Sequence, residues 1–139
     1  VELAEAAAAE RCASGWTGSY FGGVAFKYQR TPTDLEQTCQ AAMRFVDVVC
    51  TSGPGTGAAA DVDKIARIRA AIGDHPLAIA SGITPSNVVD YLDFVDVFMV
   101  ATGISRSFDQ LDAALTSELV RHVQDYREGQ SSANNKSSP

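Results

Sequence analysis

The sequence predicts an α/β fold: a parallel (βα)4 unit, read as the carboxyl-terminal half of a (β/α)8 barrel. Three observations carry that prediction. Four apolar runs, GGVAFKY (22–28), VDVVCTSG (46–53), LAIASG (77–82) and VDVFMVATG (95–103), are continuous rather than alternating, as strands of a parallel sheet covered on both faces are. RFVDVVCTSG (44–53) and DFVDVFMVATG (93–103) carry Phe-Val-Asp-Val at the same place, an internal βα repeat. The chain has 139 residues and opens directly in a helical pattern with no strand before it. A whole barrel takes about 250 residues. A small doubly wound sheet is the competing architecture. The leading helix favours the barrel fragment, and Val1 in place of methionine reads as an excised or truncated piece.

The elements follow in order. Residues 2–13 are rich in Ala and Glu and read as a helix, and GWTGS (15–19) breaks it. The strand at 22–28 leads into TPTDLE, where Thr33 and Glu36 form a capping box for a helix over 34–45, striped by Leu35, Cys39, Ala42 and Met43. After the second strand and the loop SGPGTG, Asp61 caps a helix with Val62, Ile65, Ile68 and Ile72 on one face, and Gly73 ends it. The third strand meets Thr84 and Pro85, a favourable cap and first-turn pair. Leu111, Leu115, Leu119, Val123 and Tyr126 stripe the last helix. The half-barrel domain is placed at 1–128. EGQSSANNKSSP has nothing to bury, so 129–139 is expected to be a disordered polar tail.

Composition narrows the function. Apolar residues make up 45% and charged residues 20%, which suits a globular domain. A net charge of −6 argues against nucleic acid as a partner, because phosphate-backbone binding needs clustered Lys and Arg. No run approaches the roughly 20 apolar residues of a membrane span. VELAEAAAAE lacks the basic start of a signal peptide. Cys12, Cys39 and Cys50 have no metal-ligand spacing, and their odd number suits a reducing, cytoplasmic setting. No metal or cofactor is expected.

Three of the four strands end in a Ser/Thr–Gly pair: Ser52-Gly53, Ser81-Gly82 and Thr102-Gly103. Ligand-binding groups of such folds collect at the carboxyl ends of the strands. A glycine loop before a helix presents N–H groups and a partial positive charge, which suits phosphate. The last two loops, ASGITPSN and ATGISRS, occupy the place of a barrel phosphate site. Phosphate-binding residues are therefore expected among Ser81, Gly82, Ile83, Thr102, Gly103, Ile104 and Ser105. Glycine also simply ends strands tightly, so each loop has a purely structural reading. SGPGTG lacks the Lys-Ser/Thr of a P-loop. It offers Thr51, Ser52, Gly53, Gly55, Thr56 and Gly57 as further ligand-binding candidates.

Lys27, near the end of an otherwise apolar strand, is the candidate catalytic residue: a cation for an anionic ligand or, desolvated, a base or nucleophile. Arg30 and Arg106 are second candidates for reaching an anion. Cys50 reads as core rather than nucleophile. Neither His75 nor His122 builds a triad or metal site. Asp47 and Asp96 begin their strands, at the stability face of a barrel, and read as loop anchors.

GGVAFKYQ, DVVCTSGPGTGAA, PLAIASGITPSNV and VDVFMVATGIS together resemble the carboxyl-terminal half of BtpA-family barrels. Ser81, Gly82, Thr84, Asn87 and Val88 match that family's third segment, while Ala80 and Ala101 depart from it. The resemblance covers about 22–120. It implies a barrel like those of phosphoribosylanthranilate isomerase, and a role either as an enzyme or as a factor in photosystem I biogenesis. The resulting expectation is a domain binding a small phosphorylated, ribose-phosphate-like metabolite, with isomerase or lyase chemistry. The alternative is a non-catalytic assembly factor using the barrel as a platform. Open sheet edges predict self-association or pairing with a missing amino-terminal half.

Overall fold

The computed structural model describes residues 2–135. Four parallel strands, β1 (Phe21–Gly23), β2 (Val48–Thr51), β3 (Leu77–Ala80) and β4 (Val97–Met99), lie side by side in chain order. Helix α1 (Glu2–Ser14) precedes β1, α2 (Leu35–Ala42) and α3 (Val62–Ile72) follow β1 and β2, and a 3-10 turn (Val88–Tyr91) follows β3. A small antiparallel hairpin, β5 (Ser105–Ser107) and β6 (Gln110–Leu111), joins β4 to α4 (Ala113–Asn135). Sequential parallel pairing with helical connections is half of a (β/α)8 barrel.

The continuous apolar runs have two separate destinations. Val49, Leu77 and Ile79 pack with Cys39, Ile65, Ile68, Ile72, Val88, Tyr91 and Leu119, so all the helical elements after β1 cover one face. Val48, Cys50 and Ala78 form a second cluster with Phe26, Ala80 and Val97 on the other face. In a barrel that face is the interior. The sheet is thus apolar on both sides, although helices cover only one.

Local chemistry explains the boundaries. Asp61 accepts the Lys64 N–H at 3.1 Å and starts α3, and Gly73 ends it at φ 57°. Helix α2 begins one residue later than the proposed capping box, because Asp34 rather than Thr33 accepts the Gln37 N–H. The helix expected after Thr84-Pro85 shrinks to the 3-10 turn. Its stretch is short and carries the β-branched pair Val88-Val89, a poor helix former. Helix α4 extends to Asn135, through seven residues of the stretch expected to be disordered. Propagation from a formed helix adds one hydrogen bond per residue fixed, so polar residues such as Glu128, Gln130 and Ser131 can continue it. Residues 136–139 lie outside the described ones. Leu111, expected on the last helix, is in β6 and exposed, and Val62 is exposed at the start of α3.

The repeated Phe-Val-Asp-Val has one structural meaning in both copies. Asp47 accepts the Tyr20 N–H (2.6 Å) and is paired with Arg11, while Asp96 accepts the Leu77 N–H (2.8 Å) and is paired with Arg69. Each carboxylate ties its strand's start to the preceding strand. The Tyr20 N–H and the Arg11 guanidinium beside it hold the Asp47 carboxyl below its ordinary range. Arg11 also lies over the Trp16 and Tyr20 rings, 4.9 and 5.0 Å from their centroids, which fastens α1 to this end of the sheet.

Candidate functional site

Strand β1 is shorter than its sequence implies. Val24 still donates to the Cys50 carbonyl, but Ala25 (φ 47°) and Tyr28 (φ 65°) turn the chain through the left-handed region. Gln29 closes the turn by accepting the Phe26 N–H and donating to the Gly23 carbonyl. Lys27 therefore sits in a loop, not on a strand. Its N–H donates to Ser52 Oγ (2.7 Å), and its Nζ reaches Thr56 Oγ1 (3.3 Å).

These contacts bring three loops to one place. A cavity of about 550 Å³ at the carboxyl end of the sheet is lined by Lys27, Thr56, Ser81, Gly82, Ile83, Met99, Thr102 and Gly103, among others. Of the expected phosphate-binding residues, five line it. Ile104 does not: its side chain is buried in the core and its N–H donates to the Ala101 carbonyl. Ser105 also turns its hydroxyl to the Ala101 carbonyl. In the middle loop only Thr56 faces this cavity. Ser52 and Gly53 line a neighbouring one, and Thr51 is fully buried. Gly55 and Gly57 line neither cavity; Gly55 offers its carbonyl to Ala58 and Ser81. Arg106 is ion-paired with Asp112 at 2.6 Å and lines neither.

The glycines do something the sequence does not announce. A Cβ on Gly53 or Gly82 would fall 2.1 Å from the Ala58 carbonyl oxygen, and one on Gly103 would fall 1.8 Å from the Ile83 oxygen. The missing side chain of Gly53 lets its own loop close on itself, and those of Gly82 and Gly103 let neighbouring loops pack against one another. Asn87 completes the third loop, accepting the Thr84 N–H and donating to the Gly82 carbonyl, each at 2.8 Å. Among the described residues, the Gly82 and Ile83 N–H groups have no protein acceptor. No α-helix begins in either loop, so the donors are loop amides rather than a helix N-terminus.

Lys27 is the one ionisable residue among those lining the cavity. No carboxylate, histidine or cysteine is among its lining residues. Cys50 is buried against the sheet interior, and burial pushes its thiol up. Burial likewise raises Cys39, to about 11. Both are inert core. Among the described residues no group of His, Cys, Asp and Glu is placed to hold a metal ion, and no helix is long and apolar enough to cross a membrane.

Sequence reasoning missed Lys64. From the first turn of α3 it reaches across to donate to the Ala25 and Ser52 carbonyls, at 2.7 and 2.8 Å, joining the β1 and β2 loops. Its position four residues before Ile68 put it beside the buried stripe, and that was the available signal.

No protein-family model matches the chain, and no curated protein matches it in sequence. Among solved structures, N-(5'-phosphoribosyl)anthranilate isomerase from Pyrococcus furiosus is similar at a TM-score of 0.59 and 15% identity, over 88% of this chain and 57% of that one. Phosphoribosyl anthranilate isomerase from Thermus thermophilus is similar at 0.52 and 15%, over 68% and 58%. The chain thus spans less than two thirds of the length of either barrel. The likeness establishes the fold, a parallel α/β half-barrel.

Proposed function

We propose that this half-barrel binds a small phosphorylated, ribose-phosphate-like metabolite at the carboxyl end of its sheet. The observation that carries the reading is the convergence of Lys27, Ser81, Gly82, Ile83, Thr102 and Gly103 on one cavity. The amides of Gly82 and Ile83 and the hydroxyl of Thr102 supply donors for a phosphate, the Ser81 hydroxyl can exchange its long 3.4 Å bond to the Gly55 carbonyl for one more, and Lys27 supplies a cation facing the rest of the molecule. Two neighbours of the same fold are named for phosphoribosyl substrates, which supports the ligand class. Isomerase or lyase chemistry in a cytoplasmic setting, in keeping with the resemblance to BtpA-family barrels, is the enzymatic form of this reading. Lys27 is the candidate for proton transfer within this half, and no carboxylate, histidine or cysteine stands beside it in the cavity lining.

The lack of a carboxylate, histidine or cysteine to work with Lys27 in that lining favours the second reading, a non-catalytic assembly platform. Titration of the nitrogen-15 labelled chain with inorganic phosphate and ribose 5-phosphate tests ligand binding. Saturable shifts of the Gly82 and Gly103 amides are expected. A folded spectrum indifferent to both ligands removes the phosphate reading. Lys27→Met is expected to weaken ribose 5-phosphate binding several-fold with folding unchanged. Indifference there leaves Lys27 as a loop residue.

The reading includes association with a second copy or with a missing amino-terminal half. Strands β1 and β4 are the edges of the sheet, each paired on one side only. Phe21 and Met99, paired with inward-facing Val48 and Ala80, remain 37% and 48% exposed. Open edges beside apolar surface favour pairing with another chain. Light scattering after size exclusion is expected to give a mass above the 14.7 kDa chain. A monodisperse monomer at high micromolar concentration would refute association.

A further inference from the structure

A second cavity, of about 590 Å³, lies between the β1–α2 loop, the 52–54 segment and the first turns of α3. Four of its lining residues, Lys27, Arg30, Lys64 and Arg67, are cationic, and none of its lining residues is a carboxylate. In a chain with a net charge of −6, that local reversal of sign is not a property of the surface at large. Among the described residues, only Arg67 of the four has a carboxylate within ion-pair distance, Glu36 at 2.8 Å on the exposed side.

Lys64 makes the case strongest. Its ammonium is half-buried and spends two of its three N–H groups on the carbonyls of Ala25 and Ser52. Among the described residues no carboxylate lies within ion-pair distance of this ammonium, and burial outweighs the more distant Asp61 charge and pushes the amine's pKa down. An anion in the cavity would offset that cost. Thr31 and Thr33 line the same space and can donate from their hydroxyls.

We propose that this cavity is a second ligand site, binding an oxyanion, carboxylate or phosphate, of a small metabolite through Lys64, Arg67 and Arg30. It goes beyond the phosphate reading of the β3 and β4 loops and does not depend on it. Only Lys27 is common to both cavities. Charge convergence in a partly desolvated pocket strengthens each contact relative to open water.

The test is a titration of the labelled chain with inorganic phosphate and, separately, with malonate, at ionic strength held constant with chloride. The expected result is saturable movement of the Gly53, Arg30 and Thr31 amides on a single isotherm. The stronger probe identifies the oxyanion class. Arg30→Glu is expected to weaken that isotherm at least about tenfold by reversing one charge of the pocket. Arg30 is exposed and makes no side-chain hydrogen bond among the described residues, so folding should survive. Arg67→Gln gives an independent second variant. Shifts that grow linearly without saturation for both probes overturn the proposal. So does an isotherm that ignores both substitutions. Movement of Gly82 without Gly53 defeats this inference alone, and the reverse defeats the phosphate reading alone.

Discussion

Gly82→Ala is expected to destabilise the chain by about 3 kcal/mol or more, read from urea unfolding. Two separate penalties add at this residue. Its φ of 75° costs an L-residue roughly 1–2 kcal/mol. Its new Cβ would also lie 2.1 Å from the Ala58 oxygen and 2.4 Å from the Ala58 carbonyl carbon. Both are backbone atoms, so no rotamer change relieves the overlap, and the 58–59 segment must move. Gly57 supplies the control. It has the same φ of 75°, but nothing lies within 4 Å of its would-be Cβ. Gly57→Ala is therefore expected to cost only about 1 kcal/mol, the conformational part alone. Equal losses in the two variants would sink the packing account. The pair of experiments bears on function too. A bulky residue at Gly82 would abolish ligand binding by dislodging the loop, so such a loss would not identify a phosphate site. The hydroxyls of Ser81 and Thr102 and the Lys27 ammonium are cleaner probes, because removing them leaves the backbone in place.

What the sequence made legible followed from short-range rules. Asp61 and Gly73 bracket α3 because capping chemistry acts over three or four residues. The four strands and their order followed from apolar runs and the Phe-Val-Asp-Val echo, and Asp47 and Asp96 prove to be anchors as their strand-start position implied. The losses lie where distant segments decide. Nothing local in Val-Ala-Phe-Lys-Tyr signals left-handed turns at Ala25 and Tyr28. The turn is closed by Gln29 and by Ser52, which is far along the chain. The β5–β6 hairpin replaces an expected direct entry into the last helix. Lys64 was invisible as a loop tie because its partners are backbone carbonyls, which carry no residue-type signature. The site suffers the same limit. Gly53, Gly82 and Gly103 were legible as loop glycines, but the backbone that makes them necessary is set by folding: Ala58, farther along the same loop, for Gly53, and Ala58 and Ile83 from the preceding loops for Gly82 and Gly103.

Arg69→Ala is expected to cost about 2–4 kcal/mol, although its ion pair is not the main reason. Asp96 remains 53% exposed on its side chain, and a pair so open to water contributes little by itself. The guanidinium does more through carbonyls. Nε donates to Phe94 at 2.7 Å, and Nη1 donates to Gly73 at 2.6 Å and His75 at 3.0 Å. Those three acceptors belong to the end of α3, the approach to β3 and the approach to β4. One planar group therefore holds three chain segments at the amino-terminal end of the sheet. Removing it leaves partly buried carbonyls without a donor, and the Asp96 carboxylate keeps only the Leu77 N–H. Arg69→Lys separates shape from charge. A lysine ammonium retains the charge but cannot span donors set in a fixed fork, so it is expected to recover less than half of the loss. Full recovery by lysine would make the ion pair the dominant contact after all. A loss below about 1 kcal/mol in Arg69→Ala would show that the carbonyls rehydrate freely. The two βα units would then be held together by the β3–β4 ladder, the Asp96–Leu77 hydrogen bonds and the apolar packing of Leu77, Ile79 and Val95.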